Sequence, residues 1–117
     1  MATRARVVGA GARKGAGGVS VPPMPERTLQ ELVRRTALAF GWAFYHPFYS
    51  RKSAPGWPDC ALVRGQRLVF AELKTATGKL SPHQVAWLSA LRQVPGVEVY
   101  EWRPSDWLSG AIEEVLR

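Results

Sequence analysis

Asp59, Glu72 and Lys74 are the residues whose types and spacing could do chemistry in this chain. Asp59 to Arg64 and Arg67 to Lys74 read as two strands, joined by Gly65 and Gln66, a glycine-first pair suited to a tight hairpin turn. With the turn there, Arg64 opposes Arg67, Ala61 opposes Phe70, and Asp59 opposes Glu72. Directly opposed side chains share one face of a sheet with Cβ atoms roughly 4.5 to 5.5 Å apart, where two like charges repel. A divalent cation held by both carboxylates would offset that repulsion, since Mg²⁺ is commonly bound through one or two carboxylates, water and substrate phosphate. Lys74, two residues beyond Glu72, falls on the same face, about 6 to 7 Å along the strand. Glu72 also interrupts the apolar run Leu68, Val69, Phe70, Ala71 and Leu73, where an unpaired carboxylate is costly. Geometry alone leaves a plainer reading open: Asp59 as ordinary strand-entry chemistry, with Glu72 and Lys74 a simple pair at a strand end.

The elements that must position these groups follow from pattern. Leu29, Leu32, Val33, Ala37 and Phe40 repeat at helical spacing from Glu26, with Gly41 as a stop. Trp42 to His46 reads as a strand feeding a cationic loop rich in Pro, Ser and Gly. Ser81, Pro82 and Gln84 signal the start of a second helix running to about Val94: Ser as N-cap, Pro at the first helical position, and Gln three residues after the cap. Val97 to Trp102 follows as a strand, and Pro104 onward as a final helix. The order αβββαβα predicts an α/β fold, a mixed central sheet flanked by helices.

The bulk composition limits the function classes. A chain of 117 residues with 46% hydrophobic and 21% charged residues fits one folded domain. The net charge of +7 favours polyanionic partners, as a weak signal. Arg4, Arg6, Arg13 and Lys14 lie in a stretch without acids, so residues 1–25 read as a flexible basic arm and residues 26–117 as the domain. The arm either follows a nucleic-acid backbone or is merely solvated. Cys60 is the single cysteine, which excludes an internal disulfide and a cysteine-rich zinc site and suits a reducing compartment. No run approaches the roughly 20 apolar residues of a membrane span, and the start lacks the apolar core of a secretory signal, so a cytoplasmic location is the expectation.

The stretch Gly56, Trp57, Pro58, Asp59, then Ala71, Glu72, Leu73, Lys74, then Gly78, Lys79, Leu80, Ser81, Pro82, Gln84 resembles the VRR-NUC family of the PD-(D/E)xK nuclease superfamily. The resemblance runs from about Glu26 to Trp107 and takes in Trp102, Arg103, Pro104, Ser105, Asp106 and Trp107. It implies a restriction-endonuclease-like core in which Asp59, Glu72 and the backbone carbonyl of Leu73 ligate Mg²⁺ or Mn²⁺, while Lys74 serves the attacking water. Such an ion can lower the pKa of water and neutralise phosphate charge. The implied activity is endonucleolytic hydrolysis of DNA, branched or four-way-junction DNA in particular, as in DNA repair. A homodimer without an organic cofactor, in a bacterial or phage-infected cell, is implied as well; no membrane partner is expected, in line with the absence of a long apolar run.

Other candidates carry two readings each. Glu26 flanks the apolar stripe of helix one, a turn before Gln30, and is favoured as a catalytic acid over Glu31, which points to solvent and has capping-box spacing from Thr28. A solvated helix-start glutamate is the alternative. Gln84 can be a capping-box residue only, or, because Gln84, Trp87, Leu88 and Leu91 share a stripe, can aim its amide at the sheet and help shape the site. Arg51, Lys52, Lys79 and Gln30 are candidate DNA contacts; the loop cations would be equally ordinary in solvent. His46 reads as a strand-end polar group, His83 as exposed, Cys60 as a small buried hydrophobe, and Trp42, Trp87, Trp102 and Trp107 as core. Two rivals stand beside the structure-specific nuclease: a noncatalytic DNA-binding module that keeps the fold, and a sequence-specific restriction or repair nuclease.

Overall fold

A computed structural model describes residues 7–8, 23–47 and 54–117. The elements are β1 (Val7–Val8), α1 (Glu26–Ala39), β2 (Ala43–Tyr45), β3 (Cys60–Arg64), β4 (Arg67–Leu73), α2 (Pro82–Arg92), β5 (Val97–Trp102), α3 (Pro104–Leu108) and α4 (Ala111–Leu116). The strands form one mixed sheet in the order β1-β5-β4-β3-β2. β4 runs antiparallel to β3 and parallel to β5. The α/β class and the mixed sheet flanked by helices are therefore as the sequence predicts.

Three details differ from the sequence reading. Val7–Val8 pairs in parallel with Val99 and Tyr100, so a two-residue strand stands in a stretch read as an arm without regular structure. Backbone pairing on an open edge, where β5 leaves its N–H and C=O groups unpaired, needs no periodic side-chain pattern to announce it. The final helix is two: Gly110, at φ 86°, takes the left-handed conformation that stops α3 and lets α4 set off anew. No side-chain bond caps α1, whose N-cap is Pro25, so Thr28 and Glu31 form no capping box; Glu31 instead pairs with Arg34 in solvent.

The β3–β4 hairpin has the predicted register, Arg64 opposite Arg67 and Ala61 opposite Phe70. Gly65 carries φ 61° at the first turn position, where a Cβ would be strained. β4 is central and covered on both faces, which explains its unbroken apolar run: Val69 to Leu73 are all buried. On one face Leu29, Val33 and Ala37 of α1 pack with Leu62, Val69 and Trp102. On the other, Leu88 of α2 packs with Phe70, Val97 and Val99. Fully burying a side chain of this size contributes roughly 1.5 to 3 kcal/mol, so two apolar layers clamp β4 and hold its C-terminal end in place. Trp42 and Trp102 are core as expected, whereas Trp87 and Trp107 are only half-buried.

Candidate active site at the end of the central strands

The Gly-Trp-Pro-Asp segment delivers Asp59 to the sheet. Gly56 sits at φ 85°, and a Cβ there would lie 2.4 Å from the carbonyl carbon of His83, so only glycine lets this turn rest on the start of α2. Trp57 is seated edge-on against Trp87 and Phe70, with ring centroids 4.7 and 5.5 Å away. Pro58 is fully buried. The carbonyl of Asp59 lies 3.0 Å from His46 Nδ1, a hydrogen bond when that nitrogen carries the proton. His46 is thus a support for the Asp59 backbone and lines, with Asp59, Gln84 and Trp57, a cleft of about 180 Å³.

The ladder between β3 and β4 ends at Cys60 opposite Ala71, one pair short of the expected Asp59–Glu72 pair. Asp59 lies in a bend just beyond, and its Oδ2 accepts a hydrogen bond from the Leu73 N–H at 2.8 Å. Side chain has replaced main chain as the last rung, which still brings the two acids together.

Glu72 is 1% exposed. Its Oε2 accepts from Gln84 Nε2 at 2.8 Å, but its Oε1 is buried without a hydrogen-bond partner among the described residues. Burial is the chief reason its carboxyl is pushed up to about 9. The charge of Asp59 and the contact with its carboxyl, a hydrogen bond only when one acid holds a proton, add to that rise; Lys74 opposes it, and Glu26 adds to it again. Glu26 of α1, though exposed, therefore lies within electrostatic reach of Glu72, unlike Glu31. Lys74 is half-buried and anchored by its N–H to the Trp102 carbonyl at 3.0 Å.

Gln84 fulfils both of its readings at once. Its Oε1 accepts from the Ser81 N–H at 2.8 Å while its own N–H donates to Ser81 Oγ at 3.1 Å, a complete capping box. That box leaves Nε2 free for Glu72. The helix cap thus orients the amide that grips the carboxylate.

The donor set fits a hard divalent cation: two adjacent carboxylates, one with an orphaned buried oxygen, where the β3–β4 ladder ends. Among the described residues no three His, Cys, Asp or Glu side chains converge on a metal position, so any such ion would complete its shell with backbone carbonyl, water or substrate. Gln30 is half-buried on α1 and Lys79 exposed after β4, neither in hydrogen-bond contact with the acids. Arg51 and Lys52 lie outside the described residues. Sequence reasoning gave no role to Glu101 or, individually, to Arg103, although Glu101 stands next to Glu72 in the β4–β5 register and Arg103 pairs with it at 2.6 Å. An acid followed two residues later by an arginine at a strand end was the available signal. No protein-family model, curated protein or solved structure matches the chain.

Proposed function

We propose that this chain is a metal-dependent DNA endonuclease with a restriction-endonuclease-like core, of the kind its VRR-NUC resemblance implies. The observation that supports it most is the buried Glu72 carboxylate, with one oxygen unpartnered, set against Asp59 and two residues from Lys74. A folded protein keeps two acids in such contact at a cost, and a cation that they share removes it.

Asp59 and Glu72, with the Leu73 carbonyl, would hold Mg²⁺ or Mn²⁺. The bound ion supplies charge neutralisation at the scissile phosphate and acidifies water. Gln84 holds the Glu72 carboxylate in one orientation, His46 and the Leu73 N–H hold Asp59, and the Lys74 ammonium orients the attacking water or stabilises the developing negative charge. Glu26 adds a carboxylate at the margin of the site. Arg51, Lys52, Lys79 and Gln30 are proposed contacts to the DNA, and branched or four-way-junction DNA, cut by a homodimer, is the proposed substrate.

The test is cleavage of linear duplex, flap and four-way-junction DNA with Mg²⁺, Mn²⁺ or EDTA. The expected result is cation-dependent cutting, strongest on the branched substrates. Binding without cutting under every cation would favour a noncatalytic DNA-binding module.

A further inference from the structure

The turn that follows Lys74 is held by one guanidinium. Arg103 Nη1 donates to the carbonyls of Thr75 and Gly78, both at 2.7 Å. Its Nε and Nη2 donate to Glu101 Oε2 at 3.1 and 2.6 Å. Its backbone N–H donates to Asp106 Oδ2 at 2.8 Å, which fixes the strand-to-helix corner from which the side chain projects. The pair is largely shielded, Arg103 and Glu101 being 18% and 16% exposed, so its geometry is not that of a loose surface contact.

The secured turn touches Lys74. The Gly78 N–H donates to Thr75 Oγ1 at 2.9 Å, which closes the turn, and a Cβ placed on Gly78 would stand 3.6 Å from Lys74 Cδ. Gly78 therefore lies beside the stem of Lys74, whose main chain is tied to Trp102, the residue just before Arg103. A lysine stem has four rotatable bonds, and its ammonium wanders unless something limits them. Here the limit is a turn whose carbonyls are fastened to Arg103.

We propose that Arg103 is a positioning residue for the Lys74 ammonium, acting through the Thr75–Gly78 turn. The inference rests on the nuclease reading. Arginine suits the task because its planar fork presents donors in two directions at once, towards the turn and towards Glu101; a lysine offers one compact ammonium. The same ion pair keeps the Glu101 charge, adjacent to Glu72 across the sheet, neutralised.

The experiment is a mutant cycle on the full chain, with kcat and KM for DNA cleavage and the Mg²⁺-induced shift in melting temperature as readouts. The variants are Lys74→Ala, Arg103→Lys, and Arg103→Met combined with Glu101→Gln, so that no acid is left unpaired, each with and without Lys74→Ala. Displacing a catalytic group by an ångström can cost on the order of 10²-fold in rate. Arg103→Met with Glu101→Gln should lower kcat about 10- to 100-fold with little change in KM or Mg²⁺ shift, Arg103→Lys should fall between it and wild type, and neither should lower kcat further once Lys74 is alanine. Losses that multiply across the cycle, or wild-type kcat in the Arg103→Met combination, would overturn the positioning role. A wild type that cleaves no better than Asp59→Asn would instead overturn the nuclease reading and this inference with it.

Discussion

The two ends of the central strands each bury a glutamate, and they treat it in opposite ways. Glu98, at the start of β5, is 4% exposed and receives Arg67 on both oxygens at 2.7 Å, with the Tyr100 hydroxyl adding a third bond at 2.8 Å. Arg67 in turn donates to the Val115 carbonyl and lies over the Trp42 ring. Glu72, at the other end of the β4–β5 pair, is buried as deeply but has one neutral amide, one orphaned oxygen and a second acid for a neighbour. A fold that supplies three donors to one buried carboxylate can evidently satisfy such a group. The incomplete shell of Glu72 thus marks the end of the β4–β5 pair where Asp59 and Gln84 lie against it and Lys74 follows two residues on.

The sharpest way to break this contrast is to neutralise each end in turn. Asp59→Asn and Glu72→Gln should each lower cleavage by about 10³-fold or more, through lost cation binding and lost charge at the phosphate. Near pH 7 in EDTA each should melt at or above the wild-type temperature: Glu72→Gln removes the carboxyl that must take up a proton to be buried, and Asp59→Asn removes a charge that opposes its ionisation. Each should also lose most of the Mg²⁺-induced rise in melting temperature. Normal cleavage, or a wild-type Mg²⁺ response, in both variants would remove the carboxylate pair from the mechanism.

At the opposite end the same kind of substitution should hurt folding instead. Glu98→Gln takes the anion from Arg67, and losing charge-assisted hydrogen bonds of this kind costs about 1.5 to 3 kcal/mol, less than in a fully buried pair because the Arg67 side chain is 33% exposed. Urea melts should show that loss, while the molecules still folded should keep the full Mg²⁺ shift. If Glu98→Gln proved harmless and Glu72→Gln strongly destabilising, the assignment of the two ends would be reversed.

Acidity separates the ends as well. Glu72 in the folded protein is raised from 4.5 to about 9, so between those values the folded state binds a proton that the unfolded state has released. The stability it contributes is complete below its unfolded pKa and is lost as pH rises through the folded value. In EDTA, melting temperature should therefore fall from about pH 5 towards pH 9, with a limiting slope of about 1.4 kcal/mol per pH unit. Cation binding requires the ionised carboxylate, so the Mg²⁺-induced shift should grow over the same range. Glu72→Gln should flatten both trends; a slope unchanged in that variant would place the titrating group elsewhere.

Much of this arrangement is legible in the sequence alone, and the reason is that local rules govern it. The Gly65–Gln66 turn set the hairpin register, the capping box located α2, and the interruption of an apolar run drew attention to Glu72. What pattern could not supply was contact across the chain. Arg103 reaches Thr75 and Gly78 across more than two dozen residues, and Arg67 meets Glu98 across β4 and β5; neither partner is coded in the neighbourhood of the other. The pairing of Val7–Val8 with β5 belongs to the same class, a backbone match with no side-chain signature. The division of the last helix was more local, but a single glycine such as Gly110 in a helical pattern can be tolerated at some cost or end the helix, and the pattern alone does not say which.

The smallest expected effect concerns Gln84, where a structural and a site role share one side chain. Gln84→Ala removes both the oxygen that accepts from Ser81 and the amide that donates to Glu72. Losing one half of a capping box costs about 1 kcal/mol, and Glu72 loses its one hydrogen-bond donor. Gln84→Glu separates the two, because a carboxylate can still accept from the Ser81 N–H and is favoured by the helix dipole, yet it offers Glu72 no donor and sets a third acid beside the pair. If the amide matters only as a cap, Gln84→Glu should cleave like wild type and Gln84→Ala should differ only by a slightly lower melting temperature. If it orients Glu72, both should lose cleavage by about 10-fold. In EDTA Gln84→Glu should then be the more pH-sensitive of the two, falling in stability faster than Gln84→Ala as pH rises and the added acid and Glu72 compete to stay protonated. Cleavage rates at saturating Mg²⁺, taken with melting curves at pH 6 and pH 8 for both variants, decide between these outcomes.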